Sequence, residues 1–203
     1  METKFRPITH IISNNTIRPL SIFENIPDPP GPVFDEVTIG TQTWMAADLA
    51  IDDGQGGIYT ANLSDVNGYD LGTVYYYTHT AALRVADSIN GWHLPTYSEW
   101  QTLFQYINNT YSESDPSSLR STYAWNSNNG TNRFGFNILP VGNYMYGTSM
   151  ESIGSRTCYW AYDADSSPGR YKCMRFSEWT SDFTDVYSDE SDDFQFTVRL
   201  IKD

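Results

Sequence analysis

Cysteine is almost missing from this chain: Cys158 and Cys173 are the only two in 203 residues. A scaffold stapled by several disulfides is therefore excluded, and folding must rest on an apolar core. Long apolar runs are missing too, and none approaches the roughly 20 residues that a membrane-crossing helix needs. Basic residues are scarce, 12 Lys and Arg against 25 Asp and Glu, for a formal charge of −13. A field of that sign repels phosphate, which argues against nucleic acid and anionic membrane surfaces and leaves neutral, basic or polyhydroxylic partners. The three histidines, His10, His79 and His93, fall at none of the spacings that bring two ligands to one zinc ion. There is no GxSxG elbow, and the glycines of IDDGQGGIY (Gly54, Gly56, Gly57) lack the lysine and helix of a phosphate-binding loop. We expect no catalytic residues and no enzyme activity.

What the chain has in quantity is aromatic rings: 6 Trp, 15 Tyr and 10 Phe, 15% of the residues. With 39% hydrophobic residues, that is enough for one domain with a sizeable core, here expected over 34–203. Residues 1–33 differ in kind. They carry most of the ten prolines, including Pro27, Pro29, Pro30 and Pro32, and show no sustained periodicity, which predicts an extended arm. The arm has no 7 to 15 residue apolar core behind a basic start and no cysteine that could take a lipid. Either the chain has been shortened ahead of Met1, or it is made and kept in the cytoplasm until release.

The segment GWHLPTYSEW, residues 91–100, marks a strand end followed by a helix start. Thr96 suits an N-cap, Glu99 three residues on can reach back to it, and Pro95 sets the approach. Trp100, Leu103, Phe104 and Ile107 then follow at helical spacing, so one stripe faces a core. His93, alternating with Trp92 and Leu94, is expected to be structural. The spacing predicts helices over 78–88 and 97–108, and an antiparallel sheet from strands near 35–45, 133–140, 157–163, 170–178 and 194–202.

The same segment, with VTIGTQTWMAADLA at 37–50, LGTVYYYTHTAAL at 71–83, LRSTYAWNSNNGTNRFGFNILPVGNY at 119–144 and FQFTVRLIKD at 194–203, resembles the Fibrobacter succinogenes major paralogous domain. The matching positions are Trp44, Gly91, Trp92, Leu94, Pro95, Thr96, Glu99, Trp100, Trp125, Gly135, Phe136, Pro140, Gly142, Trp160 and Arg199. The resemblance implies an α+β, C-type-lectin-like fold, and it implies no reaction. Exported relatives usually carry one cysteine just before GWHLP and another in the last strand; here those places hold Ser88, Ile89 and Asn90 on one side and Leu200 on the other. The joint loss points away from an oxidising compartment. It leads to the expectation of a bacteriophage virion component, a head or tail fibre or decoration protein. Its arm would dock to other virion proteins, and its domain would meet a host-surface glycan or receptor in many copies, as a homo-oligomer. A bacterial cell-surface binding module is the alternative. An oxidative enzyme of the formylglycine-generating type is the third, although two cysteines 15 residues apart do not map onto that enzyme's pair.

Cys158 and Cys173 bracket an expected hairpin. If Trp160 opposes Tyr171, then Cys158 opposes Cys173, and a cross-strand disulfide is geometrically available beside the alternative of two buried thiols. From Glu178 to Asp193 the chain holds seven acidic residues and no Lys or Arg. If calcium binds, Asp189, Asp192 and Asp193 are its expected ligands; a solvated acidic loop is the competing reading. Tyr146, Tyr162, Tyr171, Trp179 and Tyr187, set among Ser, Asn and Asp, have the composition of a recognition face, since rings give contact area at low entropic cost.

Overall fold

The computed structural model describes residues 10–13, 16–19, 32–112, 116–145, 149–162, 171–178, 184–188 and 194–203. Two compact units emerge, Met1–Val33 and Phe34–Asp203. In the first, β1 (His10–Ser13) and β2 (Thr16–Pro19) form an antiparallel pair.

Where the sequence pattern suggests one strand near 35–45, there are two. β3 (Glu36–Ile39) and β4 (Gln42–Met45) turn about Gly40, whose φ of +62° breaks the extended run. β5 (Ile58–Asn62) pairs with β6 (Thr73–Tyr77), and β6 feeds α1 (His79–Asp87). The Thr78 side chain caps α1 by accepting from the Ala81 N–H, and three small residues, Ala81, Ala82 and Ala86, let the helix lie close to the core. β7 (Trp92–His93) precedes α2 (Tyr97–Tyr111), which runs one turn past the expected end. The Thr96 hydroxyl accepts from the Glu99 N–H at 3.1 Å while the Glu99 carboxylate accepts from the Thr96 N–H at 2.7 Å, closing the capping box. Trp100, Leu103, Phe104 and Ile107 are the buried residues of α2.

Residues 133–140 form no strand. Asn132, Gly135, Asn137 and Gly142 all have positive φ, and a chain that repeatedly enters the left-handed region cannot hold a ladder. Next come β8 (Asn143–Met145), β9 (Ser149–Glu151), β10 (Arg156–Ala161), β11 (Tyr171–Ser177), β12 (Thr184–Ser188), β13 (Phe194–Gln195) and β14 (Ile201–Lys202). The expected last strand is thus interrupted. β13 pairs with β8, residues 198–200 leave the ladder, and β14 joins β4 and β7.

The architecture is α+β: two helices with antiparallel sheets ordered β3-β4-β14-β7, β10-β11-β12, β13-β8-β9 and β5-β6. β10 separates two cores, and its alternation shows how. Cys158 and Trp160 enter the cluster around α1, whereas Tyr159 and Ala161 enter the cluster around α2. Buried on both faces, this strand is near-continuously apolar, as burial demands. Trp160 ties the layers together by donating its indole N–H to the Tyr77 carbonyl at 2.6 Å. No helix among the described residues is long and apolar enough to cross a membrane.

Candidate functional site

A buried polar group lies where the segment after β4 meets the segment before β14. The Leu49 N–H donates to the Val198 carbonyl at 2.8 Å and the Met45 N–H to the Leu200 carbonyl at 3.1 Å. These bonds bring Asp48 to Arg199. Arg199 is 1% exposed, and its guanidinium lies 4.4 Å over the Phe136 ring and 5.5 Å from the Tyr159 ring. Its Nε donates to Asp48 Oδ1 at 3.0 Å, its Nη2 donates to the same oxygen, and its Nη1 donates to the Phe136 carbonyl. Tyr159 donates its hydroxyl to Asp48 Oδ1 at 2.9 Å. Burial and the nearby carboxylate push the Tyr159 phenol well above its ordinary range, so it remains a donor.

Three donors converge on Oδ1, and Oδ2 has no hydrogen-bond partner among the described residues. Asp48 lines a cleft of about 170 Å³ together with Thr73, Tyr75, Asn137, Leu139 and Arg199. That is room for about five water molecules, or a single small ring. Asn137 is placed by a backbone in the left-handed region, with φ +55°, and by the Asn132 Oδ1 that accepts its N–H at 2.8 Å. Asp48, Asn137 and Thr73 bring a carboxylate held by an ion pair, a side-chain amide and a hydroxyl to the lining of one small space. Such a set accepts and donates hydrogen bonds to hydroxyl groups.

Sequence pattern places Arg199 among the family positions and leaves Asp48 unmarked. The signal was present: Asp48 is the only charged residue between Glu36 and Asp52. A lone charge inside an otherwise apolar stretch marks a buried pair.

The expected aromatic face divides. Tyr162 is 41% exposed, but Tyr171 packs 4.1 Å from the His79 ring and 6.2 Å from Trp160, at the edge of the core. Tyr187 stands in β12 opposite Lys172, and its side chain lies outside the described set. Tyr146, Trp179, Asp189, Asp192 and Asp193 lie outside the described residues, and the calcium reading with them. Among the described residues no group of three His, Cys, Asp or Glu side chains is arranged to hold a metal. Glu178, at the head of the acidic run, is buried and accepts from the Ser127 N–H at 2.9 Å and hydroxyl at 3.0 Å, so it pins a loop. Tyr69, 47% exposed and 5.0 Å from Tyr123, forms a surface ring pair that composition did not single out.

The cysteine register needs correction. Cys158 opposes Arg175 and Trp160 opposes Cys173, two residues away from the pairing that would face the thiols directly. Both side chains still share a face as diagonal neighbours, and both are buried thiols with no disulfide between them. Residues 163–170, which connect β10 to β11 in sequence, lie outside the described set.

The remaining family positions build the core. Trp44 and Trp100 are fully buried with rings 4.7 Å apart, Phe136 packs on both, and Trp125 donates its indole N–H to the Ser121 hydroxyl at 3.0 Å. His93 bridges two acids, with Nδ1 2.7 Å from Asp203 and Nε2 3.0 Å from Glu99. A family model described as the Fibrobacter succinogenes major domain matches residues 37–202. No curated protein and no solved structure matches the chain.

Proposed function

The chain belongs to the Fibrobacter succinogenes major domain family, and from that membership we propose a non-enzymatic recognition protein, a bacteriophage fibre or decoration component that holds a host-surface glycan or receptor. The fold is taken as C-type-lectin-like. That reading is supported by the closure of the sheet through Trp44 and Ile201, strands from opposite ends of the domain, with two helices against it.

The observation that carries recognition is the Asp48 carboxylate at the cleft, whose Oδ2 has no hydrogen-bond partner among the described residues. That carboxylate is oriented by Arg199 and Tyr159, so a ligand hydroxyl meets a preorganised acceptor, and little ordering cost remains to be met on binding. A carboxylate already engaged by a buried guanidinium suits holding a hydroxyl better than shuttling its proton. Weak affinity per domain suffices where many copies act together.

The virion setting is supported by what replaces the cysteines of exported relatives. Ile89 and Leu200, 4% and 0% exposed, both belong to the apolar cluster around α1. Packing there does the work that a covalent link does in an oxidising compartment.

The test uses the full chain. Neutral mono- and disaccharides are titrated by NMR, and a saturable site is expected whose affinity falls at least tenfold in Asn137→Gly, which keeps the backbone conformation, and in Asp48→Asn. Equal binding by both variants would sink the cleft. Removal of residues 1–33 is expected to abolish incorporation into phage particles; a chain found on bacterial surfaces and never in particles would reverse the setting.

A further inference from the structure

On the face of β10 and β11 that carries the two thiols, a second cavity of about 170 Å³ is lined by Arg156, Cys158, Cys173, Arg175, Phe194 and Phe196. The register explains the composition: Arg156 and Cys158 alternate on β10, Cys173 and Arg175 on β11, and Cys158 opposes Arg175. Two guanidiniums thus stand on one wall.

Neither has an ion-pair partner among the described residues. Arg175 makes no ion pair and no hydrogen bond among the described residues, and its Nε is buried without a partner. Arg156 donates Nη2 to the Ser152 hydroxyl at 2.6 Å, while its Nε is likewise buried and unpartnered. Glu151 also lines the cavity, yet it forms no ion pair with either arginine among the described residues. Buried guanidinium N–H groups without an acceptor are costly, and native interiors rarely leave them so. In a protein of formal charge −13, two cations with no ion pair among the described residues, lining one small space, are a local reversal of sign.

We propose that this cavity is an oxyanion site that takes a small organic anion, a carboxylate- or phosphate-bearing sugar, with Arg156 and Arg175 supplying the donors. Guanidinium forks match the geometry of carboxylate and phosphate oxygens. Phe194 and Phe196, with ring centroids 6.0 Å apart, give the wall an apolar part that suits a ring-bearing anion over a hydrated inorganic ion. The thiols report the same field: hydrogen bonding from Cys173, then the two arginines, hold the Cys158 thiol below its ordinary range against the opposing effect of burial. The site is separate from the Asp48 cleft and stands or falls without it.

Calorimetry with the full chain tests it, using glucose 1-phosphate, glucuronate and glucose as probes. Saturable binding of the phosphate or the carboxylate ligand, none of glucose, and weakening as salt rises are expected; which anion binds more tightly distinguishes a phosphate from a carboxylate ligand. Arg175→Gln should weaken that binding at least tenfold without lowering the melting temperature, because the arginine has no ion pair or hydrogen bond to lose among the described residues. Asp48→Asn should leave it unchanged. Absence of saturable anion binding up to millimolar concentration, equal binding of glucose, or an unaltered affinity in Arg175→Gln would each overturn the proposal.

Discussion

Arg199 and Asp48, 151 positions apart in the chain, form an ion pair in which the guanidinium is almost wholly buried and the carboxylate lines a cleft. A buried charge is tolerated only with its partner. Asp48→Ala should therefore cost about 3 kcal/mol in urea unfolding, because it strands Arg199 among rings. The double change Asp48→Ala/Arg199→Met should be less destabilising than the two single changes added, since it removes the stranded charge. Additive effects would mean that the two side chains do not act as a pair.

Two histidines make stability depend on pH in opposite directions. Burial pushes His79 down to about 4 from its ordinary 6.5, despite a hydrogen bond to the Ala161 backbone. Unfolded protein then binds a proton that folded protein refuses, so stability falls as pH drops from about 6.5 toward 4. The loss should approach about 3 kcal/mol, and His79→Gln should flatten that limb of the profile. Burial also disfavours charge on His93, but Asp203 and Glu99 outweigh it and raise its pKa. Its contribution is complete below pH 6.5 and is lost as pH rises through the elevated value. Denaturation midpoints from pH 4 to 9, wild type against each His→Gln variant, separate the two.

Gly142 and Gly135 share a positive φ, +72° and +75°, and differ in their surroundings. A Cβ on Gly142 would meet the Glu151 carbonyl oxygen at 2.3 Å, whereas on Gly135 the nearest atom is Val37 Cγ2 at 4.0 Å. Gly142→Ala should cost about 3 kcal/mol through clash and strain together, and Gly135→Ala about 1 kcal/mol through strain alone. Similar melting temperatures for the two variants would contradict this ordering.

Thr96→Ala removes the cap of α2 and should cost about 1 kcal/mol. The buried stripe of Trp100, Leu103, Phe104 and Ile107 should still hold the helix in place. Helical circular dichroism is expected to survive while the unfolding midpoint falls.

That last contrast shows where local reading succeeds. The cap and stripe of α2 lie within a few residues of one another, so spacing alone specifies them, and Thr78 and His79 begin α1 as the pattern predicts. The strand expected at 133–140 fails for an equally physical reason. Apolar alternation there is real, but Asn132 and Asn137 adopt positive φ, which a sequence permits without requiring. Likewise the hairpin of β10 and β11 was legible, while its register, and hence the partner of each cysteine, was not.

By itself the sequence determined the family, the α+β class, the two helices and an aromatic core in place of a disulfide framework. Those follow from composition and from interactions closed within a turn or two. Only the tertiary structure decided that Asp48 meets Arg199, that the Asp48 carboxylate lines a cleft, and that Arg156 and Arg175 share a cavity wall with two thiols. Each of these depends on which distant segments lie side by side. Chain closure over 151 residues is set by the sum of all packing, and no local pattern records it.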